Sequence, residues 1–176
     1  MEIRRVLSLE ARALRRVASL VDGRWAEAVG RLAACRGKVI LTGVGKSGLV
    51  AQKIAATFSS TGTPALFLDP GEALHGGLGV VQKGDLVLAI GKSGESDELN
   101  ALLPALRARR VAVIAMTANP RSTLAKAASL VLETPIGAEA CPLNLAPTTS
   151  TTVAMALGDA LAVALMKKRG FSAEHF

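Results

Sequence analysis

The sequence predicts an α/β fold in which a mostly parallel sheet is covered by helices on both faces. Three observations carry that reading. Short apolar runs rich in Val, Ile and Leu alternate with helical segments along the chain. Those runs lack an alternating polar face, which marks strands buried on both sides. Half of the 176 residues are hydrophobic and only 3% are aromatic, so the core must be aliphatic.

The elements follow in order. Val6, Leu9, Ala13, Leu14, Val17, Leu20 and Val21 recur at three- and four-residue spacing, so residues 6–35 read as helix, with Gly23 placed to divide it. Strands are expected at 38–43, 65–68, 85–90, 111–116 and 130–132, and helices at 47–60, 95–107, 122–127 and 149–168. Residues 70–79 read as a glycine-rich loop, and 135–148 as a long ordered loop of the kind that is usually functional. One domain spanning 1–176, with 1–36 as its N-terminal helical segment, is the expected organisation.

Composition narrows the partners. The net charge is +7, but the arginines of the first 36 residues are interleaved with Glu2, Glu10, Asp22 and Glu27, the pattern of a solvated helix face. With so few aromatics, base stacking is not available, and no nucleic-acid partner is expected. Cys35 and Cys141 are far apart and form no metal or disulfide pattern. Arg4 and Arg5 are not followed by an uninterrupted apolar stretch, and the run from Val153 to Met166 is broken by Asp159 and too short for a bilayer. A cytoplasmic protein without membrane contact is expected.

The chemistry concentrates in two loops. Gly45-Lys-Ser-Gly48 recurs as Gly91-Lys-Ser-Gly94, each after an apolar strand and before a helix. Such loops lie at the carboxyl ends of parallel strands, where open α/β sheets bind ligands. A lysine at a helix start is disfavoured by a few tenths to about 1 kcal/mol. A bound anion compensates Lys46 and Lys92, held by free N–H groups around Gly45 and Gly94 and by the hydroxyls of Ser47, Ser93 and Ser96. Gly43-Val-Gly-Lys-Ser-Gly48 also matches the dinucleotide fingerprint, with Asp69 as a ribose-binding acid, and that reading stays open as a competitor. A P-loop fails, since Ile40 and Leu86 stand where glycine is needed. Glu95, Asp97 and Glu98 are placed in the first turn of the following helix, where they complement the dipole, and Glu98 is also placed to act as an acid or base. His75 lies in a glycine-rich loop; Thr148–Thr152 reads first as an N-cap cluster and second as a hydroxyl-lined wall.

Gly45–Gly48, Ala55–Pro64, Glu72–Gly76 and especially Glu139–Thr148 together resemble the sugar isomerase (SIS) domain of D-arabinose-5-phosphate isomerases, from about Val39 to Phe176. The resemblance implies a three-layer αβα sandwich on a five-stranded parallel sheet, flavodoxin-like, assembled as a homotetramer. It implies interconversion of D-ribulose 5-phosphate and D-arabinose 5-phosphate through an enediol, toward the Kdo sugar of the Gram-negative envelope, with no metal or redox cofactor. By motif, Lys46, Glu98 and Glu139 match catalytic positions and His75 an active-site histidine, while Gly45, Ser47, Ser93, Gly94, Ser96 and Thr148 are expected around the substrate and its phosphate. Glu139 is the expected base, Glu98 the second acid/base, Lys46 the oxyanion stabiliser, and His75 a candidate for ring opening. Gly91 stands where the family commonly has serine. The family pattern also continues past the position of Phe176 into a His-Pro segment with an active-site histidine, and often into paired CBS modules, so activity of residues 1–176 alone is expected to depend on how the site is completed. A sugar-phosphate sensor without catalysis and an isomerase of another phosphosugar are the competing functions.

Overall fold

In the computed structural model, which describes residues 1–176, five short strands form one sheet: β1 (Val39–Thr42), β2 (Ala65–Phe67), β3 (Leu86–Ile90), β4 (Ala112–Thr117) and β5 (Leu130–Glu133). Every pairing is parallel and the order is β2-β1-β3-β4-β5. Register places Leu41 beside both Phe67 and Leu88, and Ile90 beside Met116. All residues of β1 and β3 are buried, as expected of inner strands covered on both faces, whereas edge strand β2 is only half-buried.

Helices form the two outer layers. The core on one side joins strand residues Leu41 and Leu88 to Ile54 and Phe58 of α3 (Lys46–Ser60) and to Val153, Leu157 and Leu161 of α7 (Thr149–Arg169). The same layer contains α1 (Glu2–Ala18) and α2 (Gly23–Ala33), both packed on α7. On the other side, Ile40, Val87 and Ala115 meet α4 (Pro70–Leu74), α5 (Asp97–Ala108) and α6 (Thr123–Ala127) through Ala73, Leu99, Leu106 and Leu124. The result is the three-layer αβα sandwich.

Several boundaries differ from the sequence reading. The N-terminal helix breaks at Ser19–Asp22, before Gly23, because the Asp22 carboxylate accepts the Arg24 N–H at 2.9 Å and starts α2 there. The 70–79 segment is not a plain loop. Asp69 caps α4 by accepting the N–H groups of Gly71 and Glu72, Pro70 fits the first turn, and a 3-10 turn follows at Gly77–Val80. Glu95 lies outside α5; its Oε1 accepts the Thr123 N–H at 3.0 Å and so caps α6. Helix α7, unlike the apolar run inside it, is long and apolar enough by length and composition to span a membrane. Here it packs on α1, α2 and α3 and buries Val153, Leu157, Leu161 and Leu165.

Strand β3 is fixed at its entry by Asp85, whose side chain is 2% exposed. Its carboxylate accepts the N–H groups of Lys38 and Gln82 and pairs with Lys38 Nζ at 2.8 Å. These contacts outweigh the desolvation that raises its pKa and hold it below the usual carboxylate value. Where α3 crosses α7, Gly158 faces Ile54, and a Cβ there would collide with that fully buried side chain. Overpacking of this kind costs roughly 1–3 kcal/mol. Gly158→Val should therefore lower the urea midpoint by an amount equivalent to about 2 kcal/mol, read by circular dichroism.

Candidate active site

The order 2-1-3-4-5 puts a topological switch point between β1 and β3. The loop after β1 leads to α3 in one layer, and the loop after β3 leads to α5 in the other. A crevice opens between them at the carboxyl ends of the strands. The backbone needs glycine to form it. A Cβ on Gly43 would approach the Ile90 carbonyl oxygen to 2.7 Å, and one on Gly48 would approach the Gly43 carbonyl oxygen to 2.7 Å. Gly45 sits at φ +58° at the turn into α3.

Helix α3 begins without a side-chain cap, leaving N–H groups at its start for an anion. Lys46 opens the helix, is exposed and forms no ion pair; Ser47 is half-buried. In the second loop the Lys92 carbonyl accepts the Thr117 hydroxyl and the Ala118 N–H, both at 3.1 Å. Ser93 Oγ accepts the Glu95 N–H, and Gly94, at φ +67°, presses on Ser122 too closely for a Cβ. Ser96 is the N-cap residue of α5, and its side chain makes no capping bond. Both loops thus offer helix starts not closed by their own serines.

Glu139 organises the rest. Its side chain is 1% exposed, and Oε1 accepts from Lys92 Nζ at 2.8 Å. Oε2 accepts the N–H groups of Thr148 at 2.9 Å and Ser150 at 3.1 Å, and the Thr148 hydroxyl at 3.3 Å. The carboxylate therefore caps α7, the role expected of the Thr148–Thr152 cluster. Thr148 occupies the N-cap position, but its Oγ1 accepts the Ala140 N–H instead of capping. Desolvation alone would raise the Glu139 pKa; the bonds from Lys92, Ser150 and Thr148 prevail and pull it down to about 2. The segment is closed by Asn144 at φ +54°, whose Oδ1 accepts the Glu139 N–H, and tied to α1 by Arg5, which donates to the Ala140 carbonyl.

The predicted residues gather at one edge of the sheet but do not form one bonded cluster. Lys46, His75, Ser93 and Glu98 are exposed there. His75 ends α4, which packs on α5, so it shares a layer with Glu98. No hydrogen bond or ion pair joins Lys46, Glu98 or His75 to Glu139. Lys92, expected at a helix start opposite an anion, lies in a loop and takes Glu139 as its partner. The repeat and the expectation of an anionic partner single Lys92 out in the sequence, but nothing there names Glu139 as that partner. A cavity of about 10 Å³, the space of one water, lies behind the pair among Ser47, Lys92, Thr134, Ser150 and Thr151. Asp69, the ribose acid of the competing dinucleotide reading, is engaged in capping α4.

Two glycine–serine loops stand at the switch point of a parallel αβα sheet, where folds of this kind bind ligands. The chain belongs to the SIS domain family, which matches residues 32–164. It is 49% identical over 173 residues to the arabinose 5-phosphate isomerase KdsD of Yersinia pestis, covering 98% of this chain and 53% of that protein. The chain spans about half the length of the curated relatives it matches. Among solved structures, an Escherichia coli CFT073 protein in complex with arabinose 5-phosphate is 41% identical with a TM-score of 0.96, covering 98% of this chain and 92% of that one. The Vibrio vulnificus NanR protein complexed with ManNAc-6P, at 20% identity and TM-score 0.79 over 94% of this chain and 62% of its own, shares the fold.

Because the folded pKa of Glu139 lies below its ordinary 4.5, its stabilisation is complete above that value and is lost as pH falls toward 2. Glu139→Gln should cost about 2 kcal/mol at pH 7 in urea denaturation, and the difference from the unsubstituted chain should shrink between about pH 5 and pH 2.

Proposed function

We propose that this chain is an aldose–ketose isomerase interconverting D-ribulose 5-phosphate and D-arabinose 5-phosphate, a cytoplasmic step toward the Kdo sugar. The observation that carries the reading is its 49% identity, across nearly its whole length, to a protein named arabinose 5-phosphate isomerase. The matching residues stand at one sheet edge, around two loops suited to a phosphate. Residues 1–176 form one isomerase domain in this reading, with 1–36 as the helical segment that covers α7. Exposed Ile3, Leu7, Leu143 and Leu145 support self-assembly, which the proposal takes to be a homotetramer and light scattering after gel filtration would count.

The phosphate would sit across the starts of α3 and α5, on the N–H groups near Gly45 and Gly94 and the hydroxyls of Ser47, Ser93 and Ser96. Thr148 lies beside it, already bonded to Glu139 and Ala140. Isomerisation of the ketose moves a proton from C1 to C2 and another from O1 to O2 through an enediol. The base must hold a proton with useful affinity near neutral pH. Glu139, at about 2 and engaged at both oxygens, is poorly matched to that task, so the base expected there is reassigned. Glu139 is a positioning residue that holds Lys92 and the start of α7. Glu98 takes the C1 proton, Lys46 stabilises the oxyanion of the enediolate, and His75 assists opening of the aldose ring.

The test is formation of D-ribulose 5-phosphate from D-arabinose 5-phosphate, by residues 1–176 and by the same chain extended with a relative's His-Pro segment. Glu98→Gln and Lys46→Met should each lower kcat by about 10²–10⁴-fold without moving the urea midpoint. Heat protection by D-arabinose 5-phosphate with no turnover in either form would favour the sensor instead. Turnover unchanged in Glu98→Gln would remove Glu98 from the base position.

A further inference from the structure

A second cavity lies outside the crevice. A groove of about 670 Å³ runs between α5, α6 and the start of β4, from Asn100, one turn into α5, to Arg110 and Ala112 at the opposite edge of the sheet. That volume suits a small-molecule ligand. Its floor is apolar, with Leu103, Val111 and Val113 buried beneath it. Its charged lining is of one sign: Arg107, Arg110 and Lys126 border it, and no Asp or Glu does.

None of these three cations is in an ion pair, although seven such pairs occupy other basic residues of the chain. Their side chains donate no hydrogen bond within the protein, and cations facing one concave surface concentrate a positive field there. Arg110 adds an independent observation. It stands at φ +56°, just past the end of α5, where a residue with a Cβ is disfavoured and glycine is the usual occupant.

We infer that the α5–α6 groove binds a small, multiply charged organic phosphate. Its anionic groups rest on Arg107, Arg110 and Lys126, and its uncharged part covers Leu103, Val111 and Val113. The site is separate from the crevice, and the inference does not rest on the isomerase reading, because binding is measured without turnover.

Inorganic pyrophosphate, free of divalent metal, serves as the probe of the anion seat, titrated into nitrogen-15-labelled protein. Backbone amides of 107–113 and 123–129 should shift saturably, with millimolar affinity or tighter. Amides of 45–48 and 93–96 report separately on the crevice loops, so pyrophosphate bound there is not mistaken for groove binding. Arg110→Gly supplies the residue its backbone prefers, so it should fold with an equal or higher thermal midpoint, yet weaken groove binding about tenfold. Arg107→Gln combined with Lys126→Gln, which leaves Arg110 in place, should weaken it at least as much. Groove amides that stay still at about 10 mM pyrophosphate, well above a millimolar Kd, would overturn the inference. So would unchanged affinity in both variants.

Discussion

The buried carboxylate of Glu139 is the interaction on which the carboxyl edge of the domain depends. It joins three stretches of chain: the loop after β3 through Lys92, the segment 134–148 to which it belongs, and the start of α7 through the N–H groups of Thr148 and Ser150. An unpaired carboxylate in such a place would cost several kcal/mol. Here the ammonium group and the helix start supply what water would have supplied. Lys92 is 43% exposed, so the pair faces solvent on one side only. Strand β3 is thereby held at both ends, by Asp85 and Lys38 at its entry and by Lys92 and Glu139 just past its exit.

This anchoring explains how loops can build a site. Adjacent strands whose helices diverge to opposite layers leave a crevice that no side chain fills. Gly43 and Gly48 allow α3 and β3 to close around the first loop, and the pressing of Gly94 on Ser122 fixes the second against α6. The start of α6 is capped by Ser122, which accepts the Ala125 N–H, and by Glu95 from that same loop, which accepts the Thr123 N–H. The charged residues at the edge divide into two groups. Lys92 and Glu139 satisfy one another, while Lys46, Glu98 and His75 keep their functional groups toward solvent. The first group gives the edge its shape, and the second stays open to solvent.

The sheet and its flanking helices were legible because apolar runs and their glycine ends are local signals. The repeated Gly-Lys-Ser-Gly was legible for the same reason, and so were the two loops it builds. What composition and spacing could not display was pairing at a distance. Asp69 looked like a ligand for a ribose and proved to start α4. Glu95 looked like a first-turn residue of α5 and proved to cap α6, 28 positions away. Lys92 and Glu139 are 47 positions apart, and nothing along the chain announces their bond. Capping by an acid beside its helix leaves a local pattern; capping by a distant one leaves none, which is why the start of α7 was assigned to its own threonines.

Helix α7 has a bearing on how the protein is made. It is the last long element of the chain, yet it closes the layer containing Ile54 and Phe58 and supports both N-terminal helices. During synthesis the sheet and α3 emerge first, with that apolar face uncovered. Until α7 emerges, that face is open to the attractions that lead unfinished chains to aggregate. The layer is thus completed out of chain order, with α1 and α2 lacking the surface they pack on until α7 arrives.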